Sequence, residues 1–195
     1  YGYLPSGYGW VFPRRGGASV GIGVFAGHTR AIRALFRDFL GALGLPRDYA
    51  ERCKGFPLPA CTIGTLRRFG RDNILLAGDA ACLIDPMTGE GISYAMQSGE
   101  LAARSILVSL RTHEQASRVY GESLKTIRHD LLFAYLIALP LNLFPGMSLL
   151  SLRENQEISD QLKKIIMGQA RYRDLFMLGF KVVPTTVWAY CKGRR

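Results

Sequence analysis

The sequence has 195 residues, 48% of them hydrophobic and 21% charged, which is the composition of a folded protein and excludes a disordered or low-complexity chain. A formal net charge of +10 invites a nucleic-acid interpretation, but no zinc finger, recognition-helix pattern or RNA-binding aromatic signature accompanies the charge. Because the basic residues flank apolar segments instead, we expect peripheral contact with an anionic membrane surface and no nucleic-acid partner.

The cysteines and histidines are too dispersed to predict a metal site or a disulfide framework. No CxxC pair occurs among the four cysteines, and the three histidines lie far apart in the sequence. We therefore expect no metal ion and a reducing, cytoplasmic compartment.

Residues 1–25 predict a β-hairpin. Tyr8, Trp10 and Phe12 alternate with other residues, so their three rings should share one face of a strand. The Arg-Arg-Gly-Gly segment at 14–17 supplies the turn, and an apolar, glycine-containing run supplies the returning strand.

The position of this turn sets the register of the hairpin. Trp10 then lies opposite Gly21, and Tyr8 lies opposite Gly23. Glycines in a strand leave a groove, and large rings beside a groove form an apolar slot. A hydrophobic strand that faces the core is the alternative on this pattern alone.

Residues 26–45 predict a helix that Gly44 ends. Arg30, Arg33 and Arg37 lie on or beside its polar side, where we expect them to be solvated. Its apolar face comprises Ile32, Leu35, Phe36, Phe39, Leu40 and Leu43. An extended, proline-containing connection follows at residues 55–59.

The next segment predicts a strand, an acidic turn, a glycine loop and a helix. The short apolar run at residues 74–77 indicates a buried strand, which Gly78 and Asp79 close. The helix runs from about residue 91 to residue 110. Its apolar stripe comprises Ile92, Met96, Gly99, Ala103, Ile106 and Leu110.

Asp79 and the start of this helix favour a ligand with hydroxyl groups and electron-rich oxygens. An ionised Asp79 can accept hydrogen bonds from a sugar or ribityl hydroxyl. Gly89 and Gly91 let the main chain approach closely, and the first N–H groups of the helix can hold phosphate or stabilise a reduced flavin. Glu90 places a charge beside the site and argues against phosphate alone. An ordinary strand–turn–helix unit is the alternative for this segment by itself.

The remaining chain predicts helices. One spans residues 114–139, and the uncharged stretch at 131–152 is divided by Pro140 and Pro145 into pieces too short to cross a bilayer. Core packing, a lipid-facing or tunnel-capping element and a membrane span all stay open for that stretch.

A last helix is predicted at residues 156–180, and the tail at 187–195 has the composition of a membrane interface. In this helix Ile158, Leu162, Ile165 and Ile166 are expected to face inward, and Lys163, Lys164, Arg171 and Arg173 outward.

Two motifs resemble those of one enzyme family. Residues 78–81 and 85–92, Gly-Asp-Ala-Ala and Asp-Pro-Met-Thr-Gly-Glu-Gly-Ile, are similar to the second flavin-binding motif of the geranylgeranyl reductases. Residues 8–13, followed by Gly-Ile-Gly at 21–23, are similar to the substrate-pocket motif of the same family. Cys82 departs from the pattern, because the family usually has glycine there.

The resemblance implies a role for each matching residue. Asp79 would contact the ribityl and pyrophosphate region of FAD, and the loop with its helix start would lie against the flavin ring. The implied cofactor-binding residues are Gly78, Asp79, Ala80, Pro86, Gly89, Glu90, Gly91 and Ile92. The implied substrate-binding residues are Tyr8, Trp10, Phe12, Pro13, Gly21 and Gly23. Tyr8 is a weak candidate for the proton donor, and no catalytic residue is assigned.

The resemblance also implies a fold and an activity. We expect an α+β chain that contains part of an α/β, Rossmann-like FAD-binding domain of the hydroxybenzoate-hydroxylase type. Residues 1–60 would form a substrate-domain hairpin and helix, residues 61–112 the end of the FAD domain, and residues 113–195 a helical region. The GxGxxG turn is absent, so we interpret the chain as the C-terminal portion of a longer protein, inactive without its N-terminal half.

The implied reaction is FAD-dependent reduction of C=C bonds in a prenyl chain on a lipid, chlorophyll or quinone precursor, with NAD(P)H or ferredoxin as electron donor. Two alternatives stay open: a flavin-dependent monooxygenase or halogenase of the same fold, and a non-enzymatic lipid-binding fragment.

Overall fold

The structure is a computed structural model that describes residues 4, 7–24 and 31–192, and for residues 145, 147–149 and 183–192 it describes the backbone alone. Helices predominate, and the strands form two small antiparallel sheets. The predicted α+β class is confirmed at this level. The contacts divide the chain into two compact units, Tyr1–Phe56 with Pro140–Leu149, and Pro57–Leu139 with Leu150–Arg195.

A β-hairpin opens the first unit. Strand β1 (Gly7–Arg14) pairs antiparallel with β2 (Gly17–Val24), and Trp10 pairs with Gly21 as the sequence predicts. The turn contains Gly16 at φ +77°, a left-handed conformation that glycine adopts without strain.

Helix α1 (Ile32–Ala42) packs on this hairpin within the first unit. Its buried Phe36 and Leu40 form a small core with Ala50 of helix α2 (Tyr49–Arg52). Gly44 at φ +69° follows the end of α1, as predicted. The predicted start of this helix, at residues 26–30, lies outside the described residues.

The second unit has a core beneath a short hairpin and helix α3. The hairpin pairs β3 (Gly70–Arg71) with β4 (Ile74–Leu75), and α3 spans Ile92–Thr112. Helix α4 (Ala116–Ser123) packs against α3. The buried core residues are Cys61, Ala81, Leu83, Tyr120, Leu124 and Leu131.

The predicted strand at residues 74–77 is present at Ile74–Leu75, but the prediction that it is buried was wrong. The strand is only two residues long, and Ile74 is 70% exposed, because the strand belongs to a two-stranded hairpin at the surface and not to a covered parallel sheet.

The apolar stripe of α3 faces away from the described core. Met96 is 73% exposed and Leu110 is 70% exposed, whereas the buried positions of this helix are Ser98 and Ser105. The helical spacing was predicted correctly, but another face is covered, on which Tyr94, Leu101 and Ala102 pack against the core.

The C-terminal helices are more divided than the sequence predicts. The predicted helix at 114–139 is interrupted at Leu124, after which α5 (Lys125–Leu143) runs through Pro140. Helix α6 (Pro145–Glu154) follows after Phe144. Among the described residues, no helix is both long enough and apolar enough to span a membrane.

The predicted helix at 156–180 is two helices, α7 (Gln156–Ile166) and α8 (Tyr172–Lys192). Gly168 at φ +70° lies in the turn that separates them. Ile166, predicted to face inward, is 73% exposed because it lies at this helix end.

Candidate functional site

The turn after β4 is packed tightly against α3 in the second unit. Residues Gly78–Ala81 form a single 3-10 turn, in which Gly78 has φ +54°. The Gly78 N–H donates to Ser98 Oγ at 2.9 Å. A Cβ added at Gly78 would lie 2.8 Å from Ala95 Cβ, so the packing of this turn requires glycine.

This turn places the Asp79 carboxylate beside the start of α3. Asp79 is exposed, and a Cβ added at Gly91 would lie 3.3 Å from Asp79 Oδ1 and 3.2 Å from Ile84 Cγ1. The structure thus brings together Asp79 and Gly91, two of the predicted cofactor-binding residues.

The first N–H groups of α3 are only partly capped. Glu90 Oε1 accepts from the Ser93 N–H at 2.7 Å, and Glu90 Oε2 accepts from the Ser93 hydroxyl at 2.8 Å. The N–H groups of Gly91 and Ile92 have no acceptor among the described residues. Two main-chain donors and the positive end of the helix therefore stay available beside Asp79.

The loop between the turn and the helix closes on Asp85. Asp85 Oδ1 accepts from the N–H groups of Met87, at 2.7 Å, and Thr88, at 3.3 Å. The main chain adds two bonds, from the Asp85 N–H to the Glu90 carbonyl at 2.8 Å and from the Gly89 N–H to the Asp85 carbonyl at 2.9 Å. Gly89 has φ +74°, which suits glycine.

Sequence reasoning missed a buried pair beneath this loop. The Tyr172 hydroxyl, from the first residue of α8, donates to Asp85 Oδ2 at 2.6 Å. Both side chains are buried. An Asp before a proline loop signals a side-chain-to-backbone turn, but no pattern in the sequence marks Tyr172 as its partner.

Burial sets the ionisation of this pair. Desolvation raises the pKa of Asp85 above its ordinary value, and the hydrogen bond from Tyr172 acts in the opposite direction. Burial, followed by the nearby Asp85 charge, raises the pKa of Tyr172. The Asp85 carboxyl group therefore lies in a poorly solvated environment, where hydrogen bonds hold it in position.

Cys82 adopts the conformation that glycine would favour. It follows the 3-10 turn at φ +54°, in the left-handed region, and its N–H donates to the Asp79 carbonyl at 2.9 Å. The local backbone therefore keeps a left-handed residue at the one position where the sequence departs from the family pattern.

The aromatic hairpin of the first unit has the predicted geometry. The ring centroids of Tyr8 and Trp10 are 6.0 Å apart, and those of Trp10 and Phe12 are 6.3 Å apart. A Cβ added at Gly21 would overlap the Trp10 ring, and one at Gly23 would lie 3.6 Å from the Tyr8 ring. The three rings line one face, with the two glycines beneath two of them.

The opposite face of the hairpin packs on α1. A Cβ added at Gly9 would lie 2.6 Å from the Phe39 ring. A cavity of about 390 Å³ also lies in this unit, but its walls do not include the aromatic rings of the hairpin. Its lining residues are Ala18, Val20, Phe36, Leu40, Leu45, Tyr49, Arg52 and Cys53. The predicted substrate residues and the predicted cofactor residues belong to different units, so their joint site stays a prediction.

Comparison of the sequence with known proteins shows that it is similar to several reductases of geranylgeranyl compounds. The chain is 26% identical over 201 residues to the digeranylgeranylglycerophospholipid reductase of Methanosarcina acetivorans, which covers 94% of this chain and 46% of that protein. It is 37% identical over 112 residues to the enzyme of the same name from Methanococcus vannielii, which covers 52% of this chain and 27% of that protein.

A bacterial relative gives the same result. The chain is 34% identical over 116 residues to the geranylgeranyl diphosphate reductase of Rhodobacter capsulatus, covering 57% of this chain and 28% of that protein. The chain thus spans less than half of the length of these relatives. No family model and no solved structure matches the chain. The matches with these reductases confirm the resemblance that the two motifs predict: the chain is similar to the geranylgeranyl reductases.

Proposed function

We propose that this chain supplies part of the FAD site of an oxidoreductase that reduces C=C bonds in the prenyl chain of a lipid, chlorophyll or quinone precursor. The observation that carries the proposal is the Asp79 carboxylate beside Gly91, at a helix start with two uncapped N–H groups. The names of the relatives support the prenyl substrate class.

The residues at the start of α3 suit the groups of FAD. Asp79 offers an exposed acceptor for ribityl hydroxyls, and the Gly91 and Ile92 N–H groups offer donors for electron-rich oxygens. At Gly91 the lack of a side chain leaves a space beside the carboxylate that a Cβ would fill. We propose that Gly78, Ala80, Pro86, Gly89 and Glu90 shape the surrounding turn and loop.

The reaction requires placement more than acid strength. FAD, once bound and reduced by the electron donor, would supply a hydride to one alkene carbon, and a proton would go to the other carbon. An isolated double bond is a poor hydride acceptor, so the chain must hold the alkene close and exclude water. We propose that the rings of Tyr8, Trp10 and Phe12, with Pro13, Gly21 and Gly23, contact the prenyl chain.

Titration with FAD of protein that carries this chain in its complete sequence context tests the cofactor site. The loss of flavin fluorescence on binding gives the affinity. We expect Asp79→Ala to weaken binding about 10- to 100-fold, since hydrogen bonds to charged groups contribute about 1.5–3 kcal/mol. Glu122→Gln, which removes an exposed acid elsewhere in the second unit, is the matched control and should bind as the unmodified chain does. Absence of FAD binding, or equal affinities in both variants, contradicts the proposal.

Anaerobic turnover separates the reductase from a monooxygenase. Protein that carries this chain in its complete sequence context, supplied with a reductant and a geranylgeranyl lipid, should add one H₂ per double bond, measured by mass spectrometry. Oxygenated product formed only in air would favour the monooxygenase alternative.

We also propose peripheral contact with an anionic membrane through the turn between α7 and α8. Ile166 and Met167 are 73% and 69% exposed at this turn. Lys163 and Lys164 in the last turn of α7 are exposed beside them. Burial of each apolar side chain contributes about 1.5–3 kcal/mol, and each Lys near an anionic surface about 1 kcal/mol.

Vesicle cosedimentation tests this contact. The chain should sediment with vesicles that contain anionic lipid, and less so with zwitterionic vesicles or at high salt. Met167→Ser should reduce the bound fraction, whereas Met96→Ser changes an equally exposed methionine on α3 and serves as control. If both variants lose the same fraction of vesicle-bound protein, the α7–α8 turn is not the membrane contact.

A further inference from the structure

The loop that carries the predicted flavin contacts is held by hydrogen bonds within the loop itself. Asp85 Oδ1 takes the N–H groups of Met87 and Thr88, and the Asp85 main chain bonds to Gly89 and Glu90. These four hydrogen bonds meet at one residue, whose side chain is only 4% exposed. The shape of the loop therefore depends on how the Asp85 side chain is held.

A distant tyrosine holds the second oxygen of this carboxylate. Tyr172 donates its hydroxyl to Asp85 Oδ2 at 2.6 Å across 87 residues of sequence, and it is 2% exposed. A hydrogen bond of this length to an ionised carboxylate is about twice as strong as a neutral one. Tyr172 is the first residue of α8, so this bond joins the C-terminal helices to the loop.

We propose that Tyr172 is a positioning residue, which acts through Asp85 to hold the loop from Asp85 to Gly91 in the shape that receives the cofactor. The C-terminal helical region then takes part in cofactor binding without touching the cofactor. The cofactor in this inference rests on the proposed function. The inference that Tyr172 stabilises the shape of the loop rests only on the hydrogen bonds described.

A second buried tyrosine supplies the matched control. Tyr120 is fully buried in the core of the same unit, and its hydroxyl donates to the Leu76 carbonyl at 2.8 Å. Tyr172→Phe and Tyr120→Phe each remove one hydroxyl from a buried ring and keep the ring. Only Tyr172→Phe leaves Oδ2 of Asp85 without its donor.

Hydrogen exchange of the Met87 and Thr88 amides measures directly, without any cofactor, how strongly Tyr172 stabilises the hydrogen bonds of the loop. We expect these amides to exchange at least about tenfold faster in Tyr172→Phe than in Tyr120→Phe, the factor that a hydrogen bond to a charged group supplies. The buried amides of α3 and α4 should exchange at similar rates in both variants. Equal acceleration of the loop amides in both variants overturns the inference.

Substitution of Asp85 shows whether Tyr172 acts through it. Asp85→Asn keeps an oxygen for the loop amides and removes the buried charge. When Tyr172→Phe is added to Asp85→Asn, the exchange of Met87 and Thr88 should rise by much less than it rises in the unmodified background. Multiplicative effects would show that the two residues act separately and would overturn the inference, even where Tyr172→Phe alone folds poorly.

FAD titration then separates this inference from the proposed function. The FAD dissociation constant should rise at least about tenfold in Tyr172→Phe relative to Tyr120→Phe. If the exchange difference occurs while protein that carries the unmodified chain in its complete sequence context binds no FAD, the flavin assignment is wrong and the stabilisation of the loop by Tyr172 is right. If Tyr172→Phe binds FAD as tightly as the unmodified protein, the positioning role is overturned.

Discussion

At Cys82 the backbone has φ +54°, a region that costs an L-residue with a side chain roughly 1–2 kcal/mol. The Cys82 side chain is also buried against the core, at 5% exposure. The position thus combines a conformation that suits glycine with a contact that glycine cannot make. The sequence marks Cys82 as a departure from the family pattern, and the backbone explains why glycine is usual there.

The strain at Cys82 can be measured with two substitutions that both remove the thiol. Cys82→Gly relieves the left-handed strain, whereas Cys82→Ala keeps it. We expect Cys82→Gly to unfold with a free energy about 1 kcal/mol higher than that of Cys82→Ala, after the greater chain entropy of unfolded glycine is subtracted. Urea denaturation gives both values. Equal stabilities would mean that no strain is stored at this residue.

Asp85 predicts a specific pH dependence of stability. Burial raises its folded-state pKa above the unfolded value, so the folded chain binds more protons between the two values. The stability that this group contributes is full below the unfolded pKa, about 4, and is lost as the pH rises through the folded pKa. The titratable groups that interact with it include Tyr172, Tyr94, Asp130 and Cys61.

Asp85→Asn removes this titration while keeping the shape of the side chain. We expect the stability of the unmodified chain, relative to Asp85→Asn, to fall as the pH rises from about 4, since only the unmodified chain loses a bound proton. Urea denaturation over a pH series measures the difference. Glu122→Gln checks for an effect of net charge alone. A relative stability that increases with pH would contradict the raised pKa.

At the scale of elements, the hairpin was predictable and its neighbours were less so. The four-residue turn fixes a period-two register, so the pairing of Trp10 with Gly21 follows from sequence alone. The 3.6-residue period of α3 was equally clear, but a period does not reveal which face another element covers. Ser98 is buried and accepts a hydrogen bond from the Gly78 N–H, so a polar residue outside the apolar stripe lies on the covered face.

The outward direction of the α3 stripe predicts how substitutions on it behave. Met96→Gln should change the free energy of unfolding by no more than about 0.5 kcal/mol, because the side chain is 73% exposed. Leu124→Ala, in the fully buried core, should cost about 2–5 kcal/mol. Urea denaturation at low protein concentration compares them. A large loss in Met96→Gln would show that the stripe is covered in solution.

At the scale of the whole molecule, local sequence patterns predicted the class of fold. They also predicted the hairpin and the turn, loop and helix in which the two motifs lie. They did not predict the bond between Asp85 and Tyr172, because the two residues are 87 positions apart and neither interrupts a local pattern. The break at Gly168 was missed for a related reason. The apolar period continues on both sides of it, and one glycine does not by itself indicate that a helix ends.

The division into two units predicts separate effects of the two proposed ligands on hydrogen exchange. FAD should slow the exchange of residues 78–92 in the second unit, because it binds the turn, the loop and the helix start. Geranylgeranyl diphosphate should slow the exchange of residues 8–12 in the first unit, because the proposed prenyl contacts lie on that hairpin. Exchange measured by mass spectrometry with each ligand alone resolves the two segments.

Each result of this experiment has a definite consequence for the proposal. A short-chain diphosphate without the prenyl groups is the control, since it keeps the charge and lacks the apolar chain. Slowing of residues 8–12 by the long-chain ligand alone would support the aromatic rings as the prenyl contact, because burial of an apolar chain is what the control removes. Slowing by both diphosphates would assign the effect to charge and would contradict a prenyl-binding role for Tyr8, Trp10 and Phe12.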